Sequence, residues 1–333
     1  MRTHTLLALS AVIASLSACD NSSSKATDTS AVAKVGSAAP TVSALGPGEA
    51  RLAVEGGNIW YKVSGSKSGV PVILVHGGPG FNSFYLKPLE ALGDERPVVR
   101  YDQLGAGKSG GMTDTTKMNI PHFVAELDSL RAHLGYDKVH IVGHSWGTML
   151  AMEYYRAHPE HVVSLSLGGP VMNVPEYTAH TKALVKTLSD SAQRAIREGE
   201  VSGKFDTPAY QHATEEFYSK YVWLRPNAAD LDSTLKMVND AIYNYMQGPS
   251  EFTINGTFKD YDATPFLPRV TVPTLFFVGD VDEVGPAIAK RHAALTPGAT
   301  YVLIPNSAHV STWDNPEVVL QAIRKHLKKA DPK

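Results

Sequence analysis

The chain reads as a doubly wound α/β protein, a mostly parallel sheet between helices with a helical segment inserted late in the order. Three observations predict this. Apolar runs recur in "PVILVHGG", "PVVRYDQLG", "KVHIVGHS", "VVSLSLGG", "TLFFVGD" and "TYVLIP", each closing on a polar or glycine-rich loop. Continuous runs of this kind suit strands buried on both faces. Helical patterns separate them: "MNIPHFVAELDSLRAHLG", "GTMLAMEYYRAHP", "AIAKRHAALTPG" and "NPEVVLQAIRKHLKK". Finally, "GHSWG", Gly143 to Gly147, stands where a strand run meets a helical one.

In chain order, Arg2 and His4 precede "LLALSAVIASL", an apolar stretch of eleven residues. A membrane-spanning helix needs roughly 20, so this length fits a signal-peptide core instead. The stretch ends in "LSAC", which resembles the lipobox of bacterial lipoproteins and would place a lipid on Cys19, the only cysteine. Several acyl chains there would hold the protein stably on a membrane. Residues 1–18 are therefore expected to be a lipoprotein signal, and residues 19–48 a lipidated Cys followed by a flexible tether. That segment is Ser-, Ala-, Thr- and Gly-rich and cannot bury a core. The expected location is a bacterial cell envelope, facing the periplasm, with inner and outer membrane both open.

From Arg51, "RLAVEGGNIWYKVSG" alternates around a Gly-Gly turn, as an antiparallel hairpin would. The α/β core is expected over 49–171 and 266–333, with Asn315 and Pro316 starting the last helix. Between them, 172–265 lacks strand runs and is rich in aromatic residues, among them Tyr177, Tyr218, Trp223 and Tyr243. It is expected to be a helical cap over the carboxyl edge of the sheet, where ligands bind in open α/β folds. The formal charge of −2 gives no reason to expect a nucleic-acid partner. No spacing of His, Cys, Asp or Glu suggests a metal, and no cofactor is expected.

The strand, turn and helix around "GHSWG" are the context of a nucleophile elbow, so Ser145 is the expected nucleophile. A serine hydroxyl needs a base. Of thirteen histidines, His309 in "IPNSAHVSTW" follows the last strand run, where a base in Ser…Asp…His order falls. His144 and His76 are expected to be structural, and His292 and His326 to lie on the surface. "HGGPG", His76 to Gly80, offers backbone N–H groups for an oxyanion, with a second donor from Trp146.

In this order, "HGGPG", "YDQLGAGKS" and "GHSWG" resemble the proline iminopeptidase family of α/β-hydrolases, from about Arg51 to the C-terminal helix. "GPSEFTINGTFKDYD" is similar to the matching stretch of its tricorn-interacting aminopeptidase branch, and "VGDVDEVGP" and "SAHVSTW" look like its acid and base segments. The resemblance implies an α/β-hydrolase fold with the cap inserted before the triad acid. It implies Ser145, Asp282 and His309 as catalytic triad, Gly78 and Trp146 as oxyanion donors, and Glu251 and Glu283 as ligands of a substrate ammonium. It implies release of an N-terminal residue, often proline, from peptides or amides. Two carboxylates facing one pocket repel each other until a cation arrives, which is what selection for a free amine requires. Asp280 is expected to hold the loop, Asp282 to orient His309, and Glu283 to point the other way, into the pocket. A carboxylesterase or lipase remains an alternative, as does a non-catalytic binding lipoprotein.

Overall fold

The computed structural model describes residues 46–66 and 68–332. The signal, Cys19 and all but the end of the expected tether lie outside the described residues. No described helix is long and apolar enough to cross a membrane.

Eight strands form one sheet: β1 (Gly48–Val54), β2 (Gly57–Ser64), β3 (Val72–Val75), β4 (Val98–Asp102), β5 (Val139–His144), β6 (Val162–Gly168), β7 (Thr274–Gly279) and β8 (Thr300–Ile304). Their order is β1-β2-β4-β3-β5-β6-β7-β8. The first two pair as the expected hairpin, β2 runs antiparallel to β4, and every later pairing is parallel. The chain moves outward from β3 to β4 and then crosses back to β5 on the other side of β3. Loops leaving the carboxyl ends of β3 and β5 therefore diverge, and open α/β sheets bind ligands in such a crevice.

Burial on both faces explains the apolar runs. Along β3, Ile73 and Val75 pack with Leu127 and Leu150, whereas Val72 and Leu74 pack with Leu86, Ile323 and Leu327. Each such side chain contributes about 1.5–3 kcal/mol on leaving water. The two edges depart from the pattern. Residues of β1 are mostly exposed and Leu303 of β8 is 46% exposed, because no strand or helix layer covers both faces there.

Helices α1 (Ile120–His133) and α2 (Trp146–Ala157) precede the cap, which holds α3 (Val174–Val185), α4 (Asp190–Ser202), α5 (Pro208–Tyr221), α6 (Ala228–Lys236) and α7 (Asp240–Met246) between β6 and β7. Each cap helix starts on a side chain that accepts a free backbone N–H: Asn173, Ser189, Thr207, Asn227 and Asn239. Such caps are worth about 1 kcal/mol each. After β7 come α8 (Pro286–Leu295), α9 (Ser311–Asp314) and α10 (Pro316–Ala330).

Three expectations need correction. Asn315 does precede α10, but its side chain donates to the Pro305 carbonyl at 3.0 Å and does not cap the helix. His292 and His326 are buried, on the inward faces of α8 and α10. Burial pulls each down to about 4, so both are neutral at pH 7; His292 meets the Glu176 carboxylate at 3.0 Å. Finally, Phe84–Asp94 forms a long 3₁₀ segment that the sequence conceals, since Pro88 and Gly93 interrupt any helical pattern.

Candidate active site

Ser145 stands between β5 and α2 at φ 54°, ψ −126°, a conformation a non-glycine residue adopts only under constraint. The constraint is packing and hydrogen bonding. Its N–H donates to the Gly168 carbonyl at 3.0 Å, and its carbonyl accepts from Thr148 N–H at 2.8 Å. A Cβ on Gly147 would lie 2.2 Å from the Val75 carbonyl oxygen, and one on Gly77 would lie 2.8 Å from Ser145 Cβ. Only glycines let the elbow and the "HGGPG" loop approach so closely.

The Gly77 N–H is committed to Tyr85 Oη at 2.6 Å. Gly78, next along, lines the cleft with Ser145. Trp146 opens α2, where backbone N–H groups have no partner in the preceding turn. Its side chain turns away, donating to Gln103 Oε1 at 2.9 Å and stacking on Phe258. Of the two expected oxyanion donors, Gly78 thus shares the cleft with the nucleophile and Trp146 follows it in the chain.

His309 is buried, and its Nδ1 lies 2.8 Å from Asp282 Oδ1. Asp282 Oδ1 also accepts Val284 N–H at 2.9 Å. With Nδ1–H donated to the carboxylate, Nε2 is the nitrogen left to accept a proton; His309 lines the same cleft as Ser145, and among the described residues Nε2 makes no hydrogen bond. Asp280 behaves as scaffold: its two oxygens accept the N–H groups of Ser307 and Asn306, each at 2.9 Å. The cap contributes directly to the base. The Tyr221 carbonyl accepts the N–H groups of His309 and Glu283, and the Val222 carbonyl accepts that of Val310. Buried Asp314 closes the same loop, accepting from Ala308, Leu224 and Arg225 N–H groups.

A chain of buried hydrogen bonds joins the oxyanion loop to the base, and its protons have one consistent arrangement. Gly77 N–H donates to Tyr85 Oη, the Tyr85 hydroxyl to His144 Nδ1 at 3.1 Å, and His144 Nε2–H to the His309 carbonyl at 2.8 Å. Burial and the neighbouring His309 pull His144 down to about 3, keeping it neutral as this arrangement requires. His144 is structural in this sense, as its position beside the nucleophile suggests. His76 braces the glycine turn, donating to Gly77 O at 2.7 Å and accepting Gln103 N–H at 2.9 Å. Asp102 of "YDQLGAGKS" accepts from Ser83 and from Lys108 N–H, tying that loop to the segment after "HGGPG".

Glu251 lines the same cleft of about 450 Å³, opposite the aromatic walls of Tyr218, Trp223 and Trp313. Tyr177 and Tyr243 donate to its carboxylate at 2.9 and 2.7 Å, joined by the Gln247 amide. Burial and the negative charge of Glu251 push both phenols far above the ordinary tyrosine range, so they remain donors. Glu283 has no exposed surface. Its Oε1 lies 3.7 Å from His309 Nε2. The neighbouring acids therefore address opposite nitrogens of one imidazole, and the expectation that Glu283 points away from the catalyst into the pocket needs correction: it faces the base and is not among the residues lining the cleft. Burial and repulsion from Glu251 raise Glu283 well above the ordinary carboxylate range. Among the described residues no Lys or Arg pairs with Glu251 or Glu283, and no group of side chains could hold a metal ion.

The arrangement supports acyl transfer. Ser145 Oγ can attack a carbonyl while His309 Nε2 takes its proton, and the developing oxyanion would lie between the Gly78 and Trp146 N–H groups. Sequence reasoning missed Tyr85, Gln103, Tyr177, Tyr243 and Asp314, whose roles arise from contacts across the fold.

Known proteins resemble this chain over most of its length. The alpha/beta hydrolase fold family matches residues 70–316. The proline iminopeptidase of Heyndrickxia coagulans is 36% identical over 284 residues, 83% of this chain and 96% of its own. Among solved structures, VinJ superposes with a TM-score of 0.81 at 29% identity, covering 85% of this chain and 99% of its own. The proline iminopeptidase of Mycobacterium smegmatis gives 0.78 at 26% identity, covering 85% and 98%. With 36% identity to a proline iminopeptidase over 83% of its length and the α/β-hydrolase family matched across residues 70–316, the chain belongs to the proline iminopeptidase family of α/β hydrolases.

Proposed function

We propose that the protein is a serine aminopeptidase that releases an N-terminal residue, proline or another small or apolar one, from peptides or amino-acid amides. Ser145 is the nucleophile, His309 the base and Asp282 the acid that orients it, with Gly78 and Trp146 holding the oxyanion. One observation carries the amine selectivity: Glu251 lines the cleft with Ser145, buried Glu283 faces the base His309, and among the described residues no Lys or Arg is ion-paired with either acid. A substrate ammonium is the cation that fits. A substrate without a free amine would give these acids nothing to bind.

The reaction follows from the geometry. Ser145 Oγ bonds to the carbonyl carbon as His309 Nε2 takes its proton. The tetrahedral intermediate then collapses, the C–N bond breaks, and His309 returns the proton to the leaving amine. Water, activated by His309, hydrolyses the acyl-enzyme and frees the amino acid. Removing the ammonium from this scheme should cost roughly 2–5 kcal/mol, the range for leaving a buried charge unpaired. Proline, alanine and phenylalanine arylamides should accordingly be turned over about 10²–10³-fold faster than their N-acetylated forms. Equal rates on free and blocked arylamides would reject the ammonium site, and turnover of p-nitrophenyl esters alone would favour a carboxylesterase.

The similarity of residues 248–262, which include Glu251, to the tricorn-interacting aminopeptidase branch supports placement in that branch. We further propose that Cys19 carries the lipid and that the enzyme is tethered in a bacterial envelope, acting on periplasmic peptides. Palmitate should label the full-length chain and not Cys19→Ser. Equal labelling of both would exclude the anchor.

A further inference from the structure

The nitrogen that must take the Ser145 proton is crowded by an acid. His309 Nε2 and Glu283 Oε1 are 3.7 Å apart, and neither atom has a hydrogen-bond partner. Glu283 is wholly buried and His309 is 4% exposed. On its other nitrogen the same imidazole meets Asp282 at 2.8 Å. Burial favours a protonated Glu283, but the facing His309 opposes that shift, so the pair retains one proton, which the two flanking acids stabilise on the imidazole. A cationic His309 cannot act as base.

The surrounding groups do not cancel this field. From the end of β5, His144 packs on His309 with ring centroids 4.6 Å apart, and burial keeps it neutral. From the cap, Glu251 adds a third acid, while Tyr177 of α3 remains a neutral phenol. Tyr85, after the oxyanion loop, is also held protonated by burial. His180 of α3 approaches the Asp282 side and is pulled below its ordinary value, again by burial. Among the described residues the site thus holds three acids and, apart from His309, no cation.

Building on the aminopeptidase reading, we propose that Glu283 acts as a substrate-sensing gate on the base. In the free enzyme a proton is retained by the His309–Glu283 pair. When the α-ammonium of a substrate settles against Glu283 and Glu251, its positive charge replaces that of the imidazolium, and the proton leaves to solvent. His309 Nε2 is then free to accept the Ser145 proton. No bond to carbon changes in this step; one ion pair replaces another and one proton enters water. Amine selectivity then resides in turnover as well as in binding, because a blocked substrate meets a protonated base.

The gate is tested by pH profiles of kcat and KM for wild type and Glu283→Gln. The substrates are proline p-nitroanilide, its N-acetyl form and p-nitrophenyl acetate. Burial opposes charge on His309, but Asp282 and Glu283 outweigh it and raise the group to about 9. The wild-type ester profile should therefore climb until about pH 9, whereas the free-amine profile should reach its plateau near neutrality. In Glu283→Gln the ester limb should move down towards ordinary histidine values, and ester turnover at neutral pH should rise about 10–100-fold. Proline p-nitroanilide turnover should fall in the same variant. Independently of that variant, L-prolinamide binding to Ser145→Ala, followed by calorimetry in buffers of different ionisation enthalpy, should release about one proton near neutral pH. Identical wild-type limbs for ester and amine, or binding with no proton release, would overturn the gate and leave the aminopeptidase reading in place. Loss of all preference for the free amine would overturn that reading itself.

Discussion

Ser145→Ala is expected to lose about 10⁶-fold in kcat on every substrate, as when the nucleophile is removed from a serine protease. The loss should fall on kcat and spare KM. The substitution keeps the Cβ and the constrained backbone, and it leaves Glu251, the aromatic walls and the Gly78 and Trp146 N–H groups in place. Ground-state contacts therefore survive while the atom that forms the acyl bond is gone. Folding should be nearly unaffected, within about 1 kcal/mol, because the constraint on residue 145 is in the backbone. The measurement is single-turnover release of arylamine with a thermal melt on the same sample. Activity retained at more than a trace would mean that another group attacks the carbonyl, and would remove Ser145 from the role of nucleophile.

Much of this site was legible in the sequence, and the reason is locality. Ser145 is recognised from five residues because the elbow needs a strand before it, a helix after it and small residues on both sides. His309 follows from its place after the last strand run, and Asp282 from the resemblance of "VGDVDEVGP" to the family's acid segment. Asp280 could be read as scaffold because a carboxylate at a strand end finds backbone N–H groups of the adjoining loop, here Asn306 and Ser307. The unread part is long-range. Tyr85 is separated from His144 by fifty-nine positions and Asp314 from Leu224 by ninety, so no window of sequence shows either contact. His292 and His326 were misplaced because histidine is neutral enough, once buried, to sit on the inward face of a helix. The relation between Glu283 and His309 was half visible: adjacency to Asp282 suggested a second role, but not that both acids meet one ring.

Asp282→Asn is expected to reduce kcat by about 10⁴-fold, the loss seen when a triad carboxylate becomes its amide. The amide oxygen can take the place of Oδ1, accepting from His309 Nδ1 and from Val284 N–H as the carboxylate does at 2.8 and 2.9 Å. What changes is charge: the imidazolium formed during attack loses its counter-ion. The amide nitrogen would replace Oδ2, which is buried without a partner. An unsatisfied donor there costs about 1–3 kcal/mol of stability. If the amide flips to escape that cost, it presents a donor to Nδ1 and forces the wrong tautomer, which lowers kcat by the same route. Glu283 cannot substitute, since it faces Nε2 across 3.7 Å and not Nδ1. Its presence instead separates two explanations of the variant. If Asp282 acts only through charge, Asp282→Glu should recover part of kcat with a displaced ring. If Asp282 acts mainly by holding the ring, Asp282→Asn should keep most of its activity. A kcat within tenfold of wild type, with a thermal melt showing an intact fold, would remove Asp282 from the catalytic set and leave Glu283 as the acid nearest the base.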